Sequence, residues 1–376
     1  MNYVVMHIVG NRPQFIKLAP ISREIRKRGY KEVIIHTGQH FDENMSDVFF
    51  EELDIPKPDE NLHVSGGSHS EMTARIMLAL EPVVIKYNPQ IVLVYGDTNS
   101  TLSAALVVCK LNIPIVHVEA GIRTGIYENP EEVNRILIDH VSELACTPDR
   151  ESLENLRKEG LRKKSYFTGD VMYDAFCYYK NKVDMEGVMK KYGIKSKEYI
   201  LMTWHRQENT SDFGRMNQIL DLVESIKKPI ICPMHPRTYK KLEEYDLVNR
   251  AKGISRFIIV QPVGYLEMIA LSSSSRMIIT DSGGLSKESY FANVKCLYML
   301  DIIVWPDLQK IGWIKNMSQN NKENVDMVNE IFSLKLQISG DNSKLFYGDG
   351  YTAGKIVDLI EGYFYNNLNN RTDILY

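Results

Sequence analysis

At 376 residues the sequence is too long for one compact core and suits two domains. Hydrophobic content of 44% and charged content of 25% are those of a globular protein, and a formal charge of -3 argues against the basic groove that nucleic-acid binding needs. No stretch approaches about 18 uninterrupted apolar residues, so no ordinary membrane span is expected. The weak negative balance leaves room for a local basic pocket that could hold a dianionic nucleotide.

Cys109, Cys146, Cys177, Cys232 and Cys296 stand singly, at neither metal-knuckle nor redox spacing. They read as reduced core thiols of a cytoplasmic protein. The opening residues, MNYVVMHIVGNRPQF, lack a basic leader followed by a long apolar run, and no signal peptide is expected.

Short β-branched apolar runs alternate with amphipathic stretches, the pattern of βαβ units and a parallel sheet. Residues 4–9 read as a first strand and 15–28 as the helix after it. Strands follow at 32–37, 91–95 and 115–118, then a helix over 131–146. A second series places strands at 199–203, 230–233, 257–261 and 277–280. The polar segment 180–198 reads as a helix and linker beside a domain boundary. Two doubly wound α/β domains are therefore expected: 1–170 carries the acidic residues, and 171–376 follows, its last helix free to pack back on the first domain. In such sheets ligands sit beyond the carboxyl ends of the strands. No GxGxxG follows a strand, so the usual nicotinamide site is absent.

Polar motifs fall at these strand ends. Gly10-Asn11-Arg12-Pro13-Gln14-Phe15-Ile16-Lys17 joins the first strand to the first helix, where a helix N-terminus and two bases can meet an anion. An ordinary turn with solvated bases is an equal reading. Asp97, in Gly96-Asp97-Thr98-Asn99-Ser100, taken alone reads first as a helix N-cap. Glu119 ends an apolar strand, where a buried carboxylate must be paired or functional. Glu131 and Arg135, at i and i+4 near a helix start, could be a surface ion pair. With Asp97 and Glu119 in the same half-sheet, a carboxylate cluster is the better reading. His205 and His235 follow successive strands of the second series, where hydrogen bonding is the commoner role for histidine. Asp281-Ser282-Gly283-Gly284-Leu285-Ser286-Lys287-Glu288 runs from a strand through glycines into a helix. That arrangement lets backbone amides approach a phosphate, with Glu288 one turn on to accept from ribose.

The set GNRPQFIK, HTGQH, GDTNST, HVEAGIRT, PEEVNR, HRQEN and DSGGLSKE occurs in one order across most of the chain. It resembles the non-hydrolysing UDP-N-acetylglucosamine 2-epimerases. The resemblance implies two Rossmann-like domains in the glycosyltransferase-B-like arrangement, with the active site in the cleft between them. It implies that Asp97, Glu119, Glu131, Arg135 and His205 form the catalytic cluster. Arg12, Lys17, His235, Ser282, Gly283, Gly284 and Glu288 would hold UDP. The expected substrate is a UDP-N-acetylhexosamine, supplying a precursor for surface polysaccharide. No metal, cofactor, nucleic acid or membrane is called for, and the oligomer implied is a homodimer.

The implied reaction inverts the second sugar carbon. That carbon's proton is not beside a carbonyl, so its loss must be coupled to departure of UDP, giving a glycal; UDP then re-adds and a proton returns to the opposite face. Carboxylates and His205 would serve the two faces, and bases with backbone N–H groups would stabilise the departing diphosphate. A UDP-sugar glycosyltransferase, a hydrolysing 2-epimerase and an inactive nucleotide-sugar-binding homologue share many of these features. One departure stands out. Where the family carries an Arg-Asp stretch and a Thr-Glu pair, this chain has Leu300-Asp301-Ile302-Ile303-Val304-Trp305. The wording GGLSKESYF, followed by Trp305 and Gly312-Trp313, is nearer the branch that acts on UDP-diacetamido-uronic sugars. An apolar run there would favour a sugar with fewer free hydroxyls or an added acetamido or methyl group.

Overall fold

A computed structural model describes residues 3–39, 50–302, 305–334 and 344–365. The chain forms two compact units, Met1–Ala175 together with Lys344–Tyr376, and Phe176–Ser343.

The sheet of the first unit contains β1 (Val4–Val9), β2 (Lys31–His36), β3 (Glu60–Asn61), β4 (Ile91–Tyr95), β5 (Ile115–Val118), β6 (Leu144–Thr147) and β7 (Ser165–Phe167). All pair in parallel in the order β3-β2-β1-β4-β5-β6-β7. Helices cover both faces of such a sheet, so its central strands are continuously apolar: every residue of β4 is buried. The order reverses between β1 and β4, which opens a crevice at their carboxyl ends. The helix Thr352–Phe364 belongs to this unit through Arg28, whose Nη1 lies 2.7 Å from Asp358 and 2.9 Å from Glu361. Tyr3 stacks on Phe364 at 4.1 Å between ring centroids.

The second unit repeats the plan with β8 (Ile200–Thr203), β9 (Ile230–Pro233), β10 (Phe257–Val260), β11 (Met277–Thr280), β12 (Lys295–Tyr298) and β13 (Ile314–Asn316). The parallel order β10-β9-β8-β11-β12-β13 puts its reversal between β8 and β11. Trp204, fully buried, anchors a core with Met202, Ile219, Leu242 and Ile279.

Both sheets have the doubly wound order expected from the alternation of strands and helices. The first helix runs Arg12–Lys27 rather than 15–28, and a second difference is larger. The helix expected over 131–146 is Pro130–Val141, and β6 follows within four residues. Ser142 turns extended at φ -79° and ψ 146°, and its hydroxyl donates to the Ile138 carbonyl, closing the last turn. Leu144–Thr147, buried throughout, then pairs with β5 and β7. A four-residue apolar run carries no period of its own, so only its sheet neighbours distinguish strand from helix.

Candidate active site

Helix N-termini at the strand ends are capped by residues adjacent to the chemically interesting ones. Asn11 accepts from the Gln14 N–H, Thr98 from Thr101, and Asn129 from Glu131. Thr98 therefore performs the capping that Asp97 alone could have done. Asp97 instead accepts from Arg135, with Nη2 at 2.6 Å and Nε at 2.9 Å from Oδ2. Its backbone carbonyl accepts from Asn134 Nδ2 at 2.8 Å, so neighbouring residues of one helix hold both ends of Asp97.

Arg135 does not pair with Glu131 as the i, i+4 spacing suggested. Its Nη1 reaches Glu132 at 2.8 Å. Glu132 is 1% exposed and also accepts from the Thr124 and Gly125 N–H groups at 3.0 and 2.9 Å. Burial alone would raise the Glu132 carboxyl; these N–H groups and Arg135 outweigh it and hold it below the usual carboxylate range. Glu131 is half-buried, and among the described residues its carboxylate has no hydrogen bond or ion pair.

Lys17 and Glu119 form a second pair. Nζ lies 2.5 Å from Oε1, and the two side chains are 9% and 14% exposed. Glu119 stands at φ +73°, in the left-handed region. For a residue with a Cβ this costs about 1–2 kcal/mol. The conformation fits the bend after β5, where the N–H groups of Glu119 and Ala120 both donate to the Cys146 carbonyl. Gly96 lies against this pair: a Cβ there would sit 3.3 Å from Lys17 Nζ and 3.6 Å from Glu119 Oε1. The Gly96 carbonyl also accepts from His117 Nε2 at 2.8 Å, while His117 Nδ1 meets Asp139 at 2.7 Å. Arg123 completes this network 2.8 Å from Asp139. Burial would raise the Asp139 carboxyl, but His117 and Arg123 hold it low. On the β1 side, Gln14 ties the two turns of the crevice together, accepting from the Gly10 N–H at 2.6 Å and donating to the Tyr95 carbonyl at 2.7 Å. Arg12 is half-buried at the start of the same helix.

In the second unit His205 follows β8 and His235 follows β9, their ring centroids 5.5 Å apart. His235 Nδ1 accepts from the Arg237 N–H and caps the helix Pro236–Glu244. Burial, His205 and Arg237 all lower the His235 imidazole. Beyond β11, Ser282 caps the helix Gly283–Phe291 by accepting from the Leu285 N–H. The Gly283 and Gly284 N–H groups open that helix, and a Cβ at Gly284 would meet nothing nearer than Ser282 Oγ at 3.8 Å, so the cradle is open. Glu288 is 6% exposed one turn further on. Trp305 Nε1 donates to the Gly283 carbonyl at 2.8 Å, and Lys287 Nζ lies 4.5 Å from the Trp305 ring centroid. Leu300 is buried and Ile302 is 45% exposed; Asn316 Nδ2 donates to both of their carbonyls at 3.0 Å. Ile303 and Val304 lie outside the described residues.

The expected residues thus follow the strand ends of each unit: Lys17 meets Glu119 and Asp97 meets Arg135 in the first, His205 lies beside His235 in the second, and Arg12, Glu131, Ser282, Gly283, Gly284 and Glu288 stand at the starts or in the first two turns of the helices there. The sequence profile of the family UDP-N-acetylglucosamine 2-epimerase matches residues 23–361. The chain belongs to the UDP-N-acetylglucosamine 2-epimerase family.

Relatives of this family cover nearly the whole chain. A UDP-N-acetylglucosamine 2-epimerase homolog of Methanococcus maripaludis is 40% identical over 95% of this chain and 99% of its own. The UDP-2,3-diacetamido-2,3-dideoxy-D-glucuronate 2-epimerase of Pseudomonas aeruginosa is 39% identical with the same coverage. The crystal structure of the Methanocaldococcus jannaschii UDP-GlcNAc 2-epimerase, in complex with UDP-GlcNAc and UDP, superimposes with a TM-score of 0.82 at 34% identity, covering 95% of this chain and 99% of that one.

Sequence reasoning missed several supporting residues of this family member. Glu132, Asn134 and the His117–Asp139–Arg123 network hold the carboxylate turns from behind, and Asp281 stands behind His205. The available signal was spacing: Glu132 and Asp139 stand seven residues apart, on one face of the helix.

Proposed function

We propose that the chain is a non-hydrolysing 2-epimerase of a UDP-N-acetylhexosamine, acting in the cytoplasm to supply a polysaccharide precursor. The observation that carries this reading is the division of the acidic groups. Asp97 and Glu119 are each paired with a cation, while Glu131 is left open to exchange a proton. One carboxylate group takes the proton from the second carbon as the bond from the first carbon to the UDP oxygen breaks. The groups suited to diphosphate charge are Arg12 and Lys17 in the first unit and the Ser282-Gly283-Gly284 turn in the second. Re-addition of UDP and protonation of the opposite face complete the inversion without net consumption of water. The five cysteines, all free thiols, support a reducing compartment.

The preferred substrate in this reading is a modified sugar. Support comes from the Pseudomonas aeruginosa relative and from the Leu300-Asp301-Ile302 turn, which ends β12 with one buried and one exposed apolar side chain. The test is to incubate the purified protein in deuterium oxide with UDP-N-acetylglucosamine and with UDP-diacetamido-uronic sugars. The expected product keeps UDP and carries deuterium at its second carbon, forming faster from the modified sugar. Free N-acetylmannosamine would establish the hydrolysing type. Product lacking deuterium would refute the solvent-exchanging proton step.

We also propose a homodimer. The helix Asn99–Lys110 packs between His69–Tyr87 and Pro130–Val141. The two outer helices expose Leu78 at 76% and Ile85 at 61%, and Val133, Leu137 and Val141 at 41%, 43% and 36%. A second copy laid on this helical layer would take both apolar stripes out of water.

A further inference from the structure

Asp281 precedes the phosphate-type turn, and its carboxylate has nothing to do with that turn. Ser282 caps the helix Gly283–Phe291, and Thr280 Oγ1 accepts from the Ser282 N–H at 2.9 Å. The Asp281 side chain, 0% exposed, is directed instead across the switch point to the end of β8. There it accepts from the His205 N–H at 3.1 Å to Oδ1 and 2.9 Å to Oδ2, from the Arg206 N–H at 2.8 Å, and from Asn209 Nδ2 at 3.2 Å. His205 Nδ1 lies 3.1 Å from Oδ1.

We infer that Asp281 is a positioning residue for the epimerase reaction, fixing the ring of His205 with Nδ1 toward the protein and Nε2 toward substrate. The inference rests on His205 acting in that reaction. Its physical content is a tautomer and an orientation. Burial would raise the Asp281 carboxyl, but the His205 ring and the surrounding N–H groups overcome that and hold it below its ordinary range. An ionised carboxylate is an acceptor only, so the ring nitrogen facing it must carry hydrogen. Nε2 is then the nitrogen free to give or take a proton. The other contacts leave little choice of arrangement. Three N–H donors already pin the carboxylate, so the ring must conform to the acid. His205 itself is 35% exposed on its side chain, and water alone would let the ring turn.

Asp281 could instead serve only to tie β8 to β11, because it satisfies two backbone N–H groups of the β8 turn. The two roles separate in a double-mutant cycle of Asp281→Asn and His205→Asn, read on the purified full chain with the UDP-sugar and with UDP alone. His205→Asn is expected to lower kcat about a hundredfold or more. Asp281→Asn should lower kcat at least about tenfold, with KM and the Kd for UDP changed by less than about twofold. Adding Asp281→Asn to His205→Asn should then change kcat hardly at all. An equal loss in both backgrounds, or a loss seen in UDP affinity rather than kcat, overturns the inference. Wild-type kcat in His205→Asn overturns the role of His205 itself, a separate failure. Should Asp281→Asn not fold, nitrogen-15 spectroscopy of the unaltered protein decides the matter, the His205 signal being assigned by its loss in His205→Asn. A neutral ring carrying hydrogen on Nδ1 supports the inference, and hydrogen on Nε2 refutes it.

Discussion

Replacing Lys17 by methionine keeps the length of the side chain and removes the charge that faces Glu119. The pair is almost dry, at 9% and 14% exposure, so the remaining carboxylate would stay desolvated without its nearest cation. Breaking a buried pair from one side costs about 3–5 kcal/mol. The lower end applies here, because Glu119 keeps a little solvent and makes further interactions. For a unit of this size, about 1 kcal/mol moves the melting temperature by roughly 2–4 °C. Lys17→Met should therefore lower the melting temperature of the first unit by roughly 6–12 °C. The double variant Lys17→Met, Glu119→Gln removes both charges and should recover most of that loss, while remaining inactive. Calorimetry on the four proteins of the cycle reads the coupling directly. A single variant that melts like the wild type, or a double variant as unstable as the single, would refute the claim that the two charges hold one another.

Three further outcomes are expected. Asp97→Asn and Glu131→Gln should each lower turnover about a hundredfold or more while UDP still binds; an amide variant that unfolds would make its carboxylate structural. Asp174, buried and within 2.7 Å of the Ala353 N–H, has its carboxyl raised to about 6, chiefly by burial. The folded state thus holds this proton more tightly than the unfolded one, so stability falls as pH rises from about 4 to about 6. Asp174→Asn should raise the melting temperature at pH 8 and lose that advantage near pH 4; an equal effect at both values refutes the assignment. Sedimentation should show a dimer that Leu78→Glu with Leu137→Glu converts to monomer, and a wild-type monomer would end that proposal.

Much of the architecture was legible because buried parallel strands are written as uninterrupted apolar runs. β1, β4, β5, β9 and β11 begin and end where the sequence places them. β3 was not legible: it is two polar residues, Glu60 and Asn61, whose pairing depends on β2 alone. β7 is only Ser-Tyr-Phe, and β6 merged with the helix before it. At the candidate site, residue types and strand ends could be read in advance, but partners could not. Asp97 and Thr98 are adjacent and both able to cap a helix, and only the folded chain shows that Thr98 does so. Arg135 lies within reach of Glu131, Glu132 and Asp97. Local spacing favours the first, whereas the packing of the helix against Asn99–Lys110 and β5 selects the other two.

The left-handed backbone at Glu119 bears on how such a chain would drift. Glycine, and to a lesser degree asparagine, adopt φ +73° with less strain than glutamate. Relief of that strain is worth about 1–2 kcal/mol, less than the about 3–5 kcal/mol that leaving Lys17 without its partner would cost, so the acid is held in place only while Lys17 keeps its charge. In a descendant that bound nucleotide sugars without turning them over, position 119 should relax once position 17 has lost its charge. The residue found there would then distinguish a working enzyme from a silent copy before either protein was made.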